Sequence, residues 1–266
     1  MPVNTSVIYL YDGSFDGLMC CIAESCRQHE LPTDILADGC PQLTLHPTRR
    51  IPTDRSDARK VVEIMQNRIS PAAVKFVKMA YLTYISKELP ILQFFRLGYR
   101  YGKRVFDMHA DETVCTLRKA VQHLRNESHR FKQFVRFTEY DGKLIARIEP
   151  KNCVLPMIAP HFAERLPNEQ YLIYDKTNRL ALVHQPGHSA ILPLDSFEPD
   201  LPGEAEREFR CLWKLYYDTI GIEGRYNPKC RMTMMPKRYW TEMPEFDSEN
   251  DTRPESGQLP PPSLHG

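Results

Sequence analysis

Between residues 56 and 128 apolar side chains return every three or four positions, and from Phe131 onward they alternate; that change of period constrains the fold more than any other feature. Ser56 is followed by Val61, Val62, Ile64, Met65 and Ile69. Ser70-Pro71 supplies an N-cap with proline at the first helical position, so a helix is expected over 71–86. Pro90 opens another to about residue 104, with Leu92, Phe95 and Leu97 inward, and Asp111 caps one to about residue 128. Beyond Phe131 the stretch RFTEYDGKLIARIEP contains Asp141-Gly142, a type I′ hairpin signal. A helix bent by Pro156 and Pro160 is expected over 154–165, then a second hairpin with strands 171–174 and 179–184. Locally paired strands separated by helices favour α+β over a doubly wound parallel sheet. The expected architecture is a central helical cluster with short antiparallel β-hairpins packed in one compact domain.

The two ends read differently. Residues 6–11 form a buried strand that stops at the turn pair Asp12-Gly13, and Ser14 caps a following helix. Residues 31–42 read as a loop and 43–51 as an edge strand interrupted by Pro47. A last helix over 203–220 presents Phe209, Leu212, Leu215 and Tyr216 on one side. The domain is expected to span 1–245, and 246–266, acidic and rich in proline, to be disordered.

Several function classes lose their usual signals. The longest apolar runs, such as residues 73–85, are broken by lysines, so no membrane crossing is expected. The opening residues carry no export signal, which makes the cytoplasm the expected location. Eight cysteines show no C-x-x-C pair, so neither a metal site nor a cluster is expected. His184 and His188 are four apart, yet Pro186-Gly187 between them forbids the helix that would bring both onto a metal. Phosphate-binding glycine loops are missing as well, and no cofactor is expected.

Charge is distributed unevenly. Residues 241–266 hold six acids against Arg253 alone, while residues 221–240 carry five Lys or Arg against one acid. In that basic segment Arg225, Lys229, Lys237 and Arg238 are candidate phosphate contacts, joined by Asn227 and by Arg130 upstream. Tyr239 and Trp240, with Tyr226, offer faces on which unpaired bases can stack. The plainer alternative is a C-terminal strap whose aromatics pack on the core while its cations stay wet.

Catalytic candidates are Asp12 and Asp16 at the first strand end, His129 where helix gives way to hairpin, and His161 in the proline-bent helix. That signal is weak: turn and capping roles explain both aspartates, and packing is the commoner explanation of His161.

Three stretches, YDGSFDGLMCCIAES, ARIEPKNCVLPMIAPHFAERLPNEQYLIYD and RYNPKCRMTMMPKRYW, resemble in order and spacing a bacterial family of DNA metabolism and DNA repair proteins. In that family the gene accompanies a radical S-adenosylmethionine (SAM) protein, and some members precede a uracil-DNA glycosylase domain. The resemblance implies a DNA context without naming a reaction. This chain lacks the radical enzyme's three-cysteine signature, and no glycosylase domain is expected after Trp240. The expectation is therefore a DNA-binding accessory protein acting on single-stranded or damaged DNA with a separate radical SAM or glycosylase partner. A nucleic-acid-processing enzyme and a protein–protein adaptor are the alternatives.

Overall fold

A computed structural model describes residues 3–4, 6–39, 46–198, 203–220 and 227–246. The class is α+β, and the chain divides into two compact units, one of residues 1–128 with 151–154, the other of 129–150 with 155–266.

In the first unit β1 (Val3–Asn4) and β2 (Ile8–Tyr11) lead into α1 (Phe15–Arg27), β3 (Glu30–Leu31), β4 (Asp34–Ala37) and β5 (Thr48–Arg50). The helices α2 (Arg55–Ile64), α3 (Pro71–Tyr81), α4 (Glu88–Tyr101) and α5 (Glu112–Phe134, to Ser128 in this unit) follow. Strand order is β4-β2-β5, and both pairings are parallel. In the described part of this unit the pairing is parallel, and α1 provides the crossover between β2 and β4; the expected hairpins lie in the second unit. The strand β4 falls inside the stretch expected to be a loop. Only Ile35 is buried in it, so its apolar pattern is too short to show. Pro47 precedes the edge strand β5, and its carbonyl accepts from Ile8 N at 2.9 Å.

Local signals set the helix boundaries. Ser14 Oγ accepts from Gly17 N, Asp54 accepts from Ser56 N and Asp57 N, and Ser70 Oγ accepts from Ala73 N with Pro71 at the first position. Asp111 caps α5 through Val114 N at 3.1 Å. Tyr9, Tyr11 and Ile35 from the sheet and Leu18, Met19, Ile22, Met65, Ile91, Leu92, Phe94, Leu117 and Leu124 from the helices close the core; of the α4 positions expected to face inward, Leu92 and Phe95 are buried and Leu97 is half-buried.

The second unit begins with the last turns of α5. It continues through β6 (Thr138–Tyr140), β7 (Lys143–Ile148), α6 (Leu155–Arg165), β8 (Tyr171–Asp175), β9 (Leu180–Gln185) and β10 (His188–Pro193). Next come α7 (Glu204–Thr219), α8 (Pro228–Met234) and two short 3₁₀ helices, Lys237–Glu242 and Pro244–Phe246. The five strands lie in the order β10-β9-β8-β7-β6, antiparallel except for β7 beside β8. Asp141 and Gly142 have φ of 48° and 74°, the two left-handed residues a type I′ turn requires. The buried Asp175 accepts from Asn178 N at 2.9 Å and Nδ2 at 2.7 Å, which closes the β8–β9 turn. Pro186-Gly187 makes a third hairpin, with Gly187 at φ 80°, so His184 and His188 lie on strands. No described helix is long and apolar enough to cross a membrane.

Candidate functional site

Asp12 stands at the carboxyl end of β2, where a ligand site would form in a parallel sheet. Its Oδ1 accepts from Ser14 N at 2.9 Å and from Ser14 Oγ at 2.7 Å; its Oδ2 accepts from Thr53 Oγ1 at 2.8 Å. The Ser14 hydroxyl bond holds the Asp12 carboxyl below its ordinary value, and Thr53 adds to this. Gly17 admits the arrangement, since a Cβ there would collide with Asp12 Oδ1 and crowd Thr53. Beneath the turn, Tyr81 Oη donates to the Gly13 carbonyl, and burial followed by the Glu88 charge pushes that phenol up to about 12. Asp12 thus closes a turn and braces α1, and a carboxyl with lowered pKa is a weak base near neutrality. Asp16 is exposed in the first turn of α1, where the helix dipole favours it.

The two histidines belong to the second unit. His129 is exposed on α5 with Gln133 Nε2 3.1 Å from its Nε2, and His161 on α6 lies against the Phe162 ring at 5.1 Å. Neither has a carboxylate partner among the described residues. A different polar row runs across this sheet: Tyr171 on β8 stacks on His184 of β9 at 4.5 Å and 12°, and His184 Nδ1 is 2.7 Å from Ser189 Oγ on β10. The sequence reading missed it, because alternation marks which face a residue takes but not its cross-strand neighbour. No group of three or more His, Cys, Asp or Glu able to hold a metal occurs among the described residues.

The third missed feature is a buried carboxylate in the first unit. Glu127, 2% exposed, accepts from Lys151 N at 3.0 Å and from Asn152 N and Nδ2 at 2.9 and 2.5 Å. Asn152 Oδ1 in turn accepts from Tyr84 N at 3.2 Å. Asn152 lies in a stretch that carries the family resemblance, and this network is its structural role.

The basic segment divides into ordered parts. Arg225 and Tyr226 lie outside the described residues. Asn227 caps α8 by accepting from Cys230 N at 3.0 Å, a local task that removes its amide oxygen from ligand contact. Trp240 is partly exposed, stacks on Phe246 at 4.3 Å and 17°, and donates from Nε1 to the Met235 carbonyl at 3.0 Å. The Arg231 guanidinium lies 5.2 Å from the Trp240 ring and Lys237 Nζ 5.9 Å from it. Tyr239 is buried at 6% exposure, wedged against Phe131 and Phe134, so its ring offers no face to a base. Arg238 is exposed and lies over Tyr239 at 4.7 Å, while Arg130 is half-buried on α5.

Carboxylates near this segment serve other cations. Glu245 accepts from Arg136 at 2.7 Å and from Trp213 Nε1 at 3.2 Å, and Glu242 accepts from Arg147 at 3.1 Å. Lys229 and Lys237 are exposed and make no ion pair among the described residues. The arrangement joins a rigid aromatic pair to the uncompensated Lys237 ammonium, with Lys229 exposed on α8.

A family model described as a domain of unknown function, DUF4130, matches residues 86–245, more than half of the chain. No curated protein matches the chain. The matched span contains α8, Lys237 and Trp240, whereas Asp12 and Asp16 lie before it.

Proposed function

Since the chain belongs to the DUF4130 family, we propose that it is a DNA-binding accessory protein whose second unit contacts the phosphates of single-stranded or damaged DNA. Lys229 and Lys237 carry this reading: both are exposed without an ion pair among the described residues, because Glu242 and Glu245 engage Arg147 and Arg136 instead. Trp240 adds a stacking surface, where one base gains about 1–3 kcal/mol. A duplex keeps its bases paired and stacked, so the aromatic contribution favours unpaired strands. The resemblance of the three sequence stretches to DNA metabolism proteins supplies the context, with a radical SAM or uracil-DNA glycosylase-like protein as the acting partner. Electrophoretic shift titration at low salt with single-stranded, duplex and lesion-bearing DNA tests the reading. Binding strongest for unpaired DNA supports it; no affinity for any of the three removes it.

A protein–protein adaptor is the second reading, favoured by α7. Phe209, Leu212, Leu215 and Tyr216 are between 55% and 63% exposed there, and the Tyr216 ring lies 5.9 Å from that of Trp213. Recovery of a partner that survives nuclease treatment distinguishes this reading from DNA bridging.

A further inference from the structure

A cavity of about 770 Å³ opens in the first unit among the last turn of α1, the end of α2 and one face of α4. Its walls include Cys26, His29, Ile64, Arg96, Tyr99 and Arg100, with no Asp or Glu among the lining residues. Ile64 and Tyr99 are 39% and 52% exposed, so the apolar wall faces solvent although it is concave. That size and lining are those of small-molecule sites, where apolar walls surround a few oriented polar groups.

Arg96 gives the cavity its chemistry. Its Nη2 donates to Ser25 Oγ at 2.7 Å, to the Ser25 carbonyl at 3.0 Å and to the Glu30 carbonyl, which fixes the guanidinium plane. Its Nε is buried without a hydrogen-bond partner, a costly state for a cationic donor. The Glu30 side chain is engaged elsewhere, its carboxylate accepting from Tyr9 Oη at 2.5 Å and from Arg49. Arg100 follows one turn later on the same helix and brings a second cation to the rim. A fixed guanidinium is suited to the planar oxygens of a phosphate or carboxylate.

We propose that this cavity binds a small organic anion, a flat ring bearing one phosphate or carboxylate, with the ring against Tyr99 and Ile64 and the anionic group toward Arg96 and Arg100. The assignment concerns the first unit alone and does not depend on DNA binding by the second.

Cys26 lines the cavity and is exposed, so it reports occupancy; Cys211 and Cys230, exposed in the second unit, serve as internal controls. Burial raises the Cys26 thiol while Arg96 opposes part of the shift, so labelling is run above the ordinary thiol value of about 8.5. Iodoacetamide alkylation of the full chain is followed by peptide mass spectrometry with thymidine 5′-monophosphate, benzoate, thymidine or inorganic phosphate present. The expected result is several-fold slower alkylation of Cys26 with at least one of the two ring-bearing anions, and unchanged rates at Cys211 and Cys230. Whichever of the two protects more identifies the preferred head group. Ile64→Trp, which fills the cavity from a part-exposed position, should abolish protection, and Arg100→Glu should weaken it about tenfold. Failure of both ring-bearing anions to protect overturns the proposal. So does equal protection by inorganic phosphate alone, which would mark a simple ion site, or by thymidine alone, which would need no cation.

Discussion

Asp12 is held by two hydrogen bonds from Ser14 and one from Thr53, and its lowered pKa follows from them. A carboxyl whose folded pKa lies below its unfolded value stabilises the fold above that unfolded value, about 3.9, and loses this as pH falls through the folded pKa. Asp12→Asn should therefore lower stability at pH 7, with the difference from the parent chain shrinking toward pH 3 in urea titrations. A difference that grew in acid would reverse the assigned sign. Ser14→Ala removes the cap of α1 and should cost about 1 kcal/mol by the same measurement. Glu127 stands at a higher level of risk, since it is buried and satisfies three donors of Lys151 and Asn152. Glu127→Ala should cost roughly 2–4 kcal/mol, with much of it recovered in Glu127→Gln, which keeps one acceptor oxygen.

At the level of elements, α7 combines polar contacts with exposed apolar side chains. Arg210 and Glu206 pair at 3.0 Å and Trp213 donates to Glu245, while Phe209, Leu212, Leu215 and Tyr216 remain exposed. The double substitution Leu212→Glu with Leu215→Glu should change unfolding free energy by less than about 0.5 kcal/mol, because neither side chain is buried. It should also reduce binding of an apolar fluorescent dye; a large loss of stability would mean that the face is covered. What could be read from the sequence follows the range of the interaction. Ser14, Ser70-Pro71, Asp111 and Asp141-Gly142 act within a few residues, and each appears where its chemistry places it. The strand β4, the Tyr171–His184–Ser189 row and the Glu127–Asn152 network depend on partners distant along the chain or in neighbouring strands, which periodicity does not encode. The candidate site divides the same way: Lys229, Lys237 and Arg238 are exposed as expected, but the long-range contacts of Tyr239 with Phe131 and Phe134 bury a ring that composition alone marks as available.

Across the whole molecule the two units carry different chemistry. The first holds a parallel sheet, a braced turn at Asp12 and a cation-lined cavity; the second holds exposed Lys229, and Lys237 beside Trp240. The central claim is that these lysines meet phosphate, and fluorescence anisotropy with a labelled single strand across a salt series tests it most directly. Each phosphate contact on a single strand contributes about 0.7 to the slope of log affinity against log salt. Lys229→Ala with Lys237→Ala should reduce that slope by about 1.4 and weaken binding at every salt concentration, whereas Arg147→Ala, whose cation is already matched by Glu242, should leave the slope unchanged. Binding that is absent at low salt, or a slope untouched by loss of both lysines, would contradict the account.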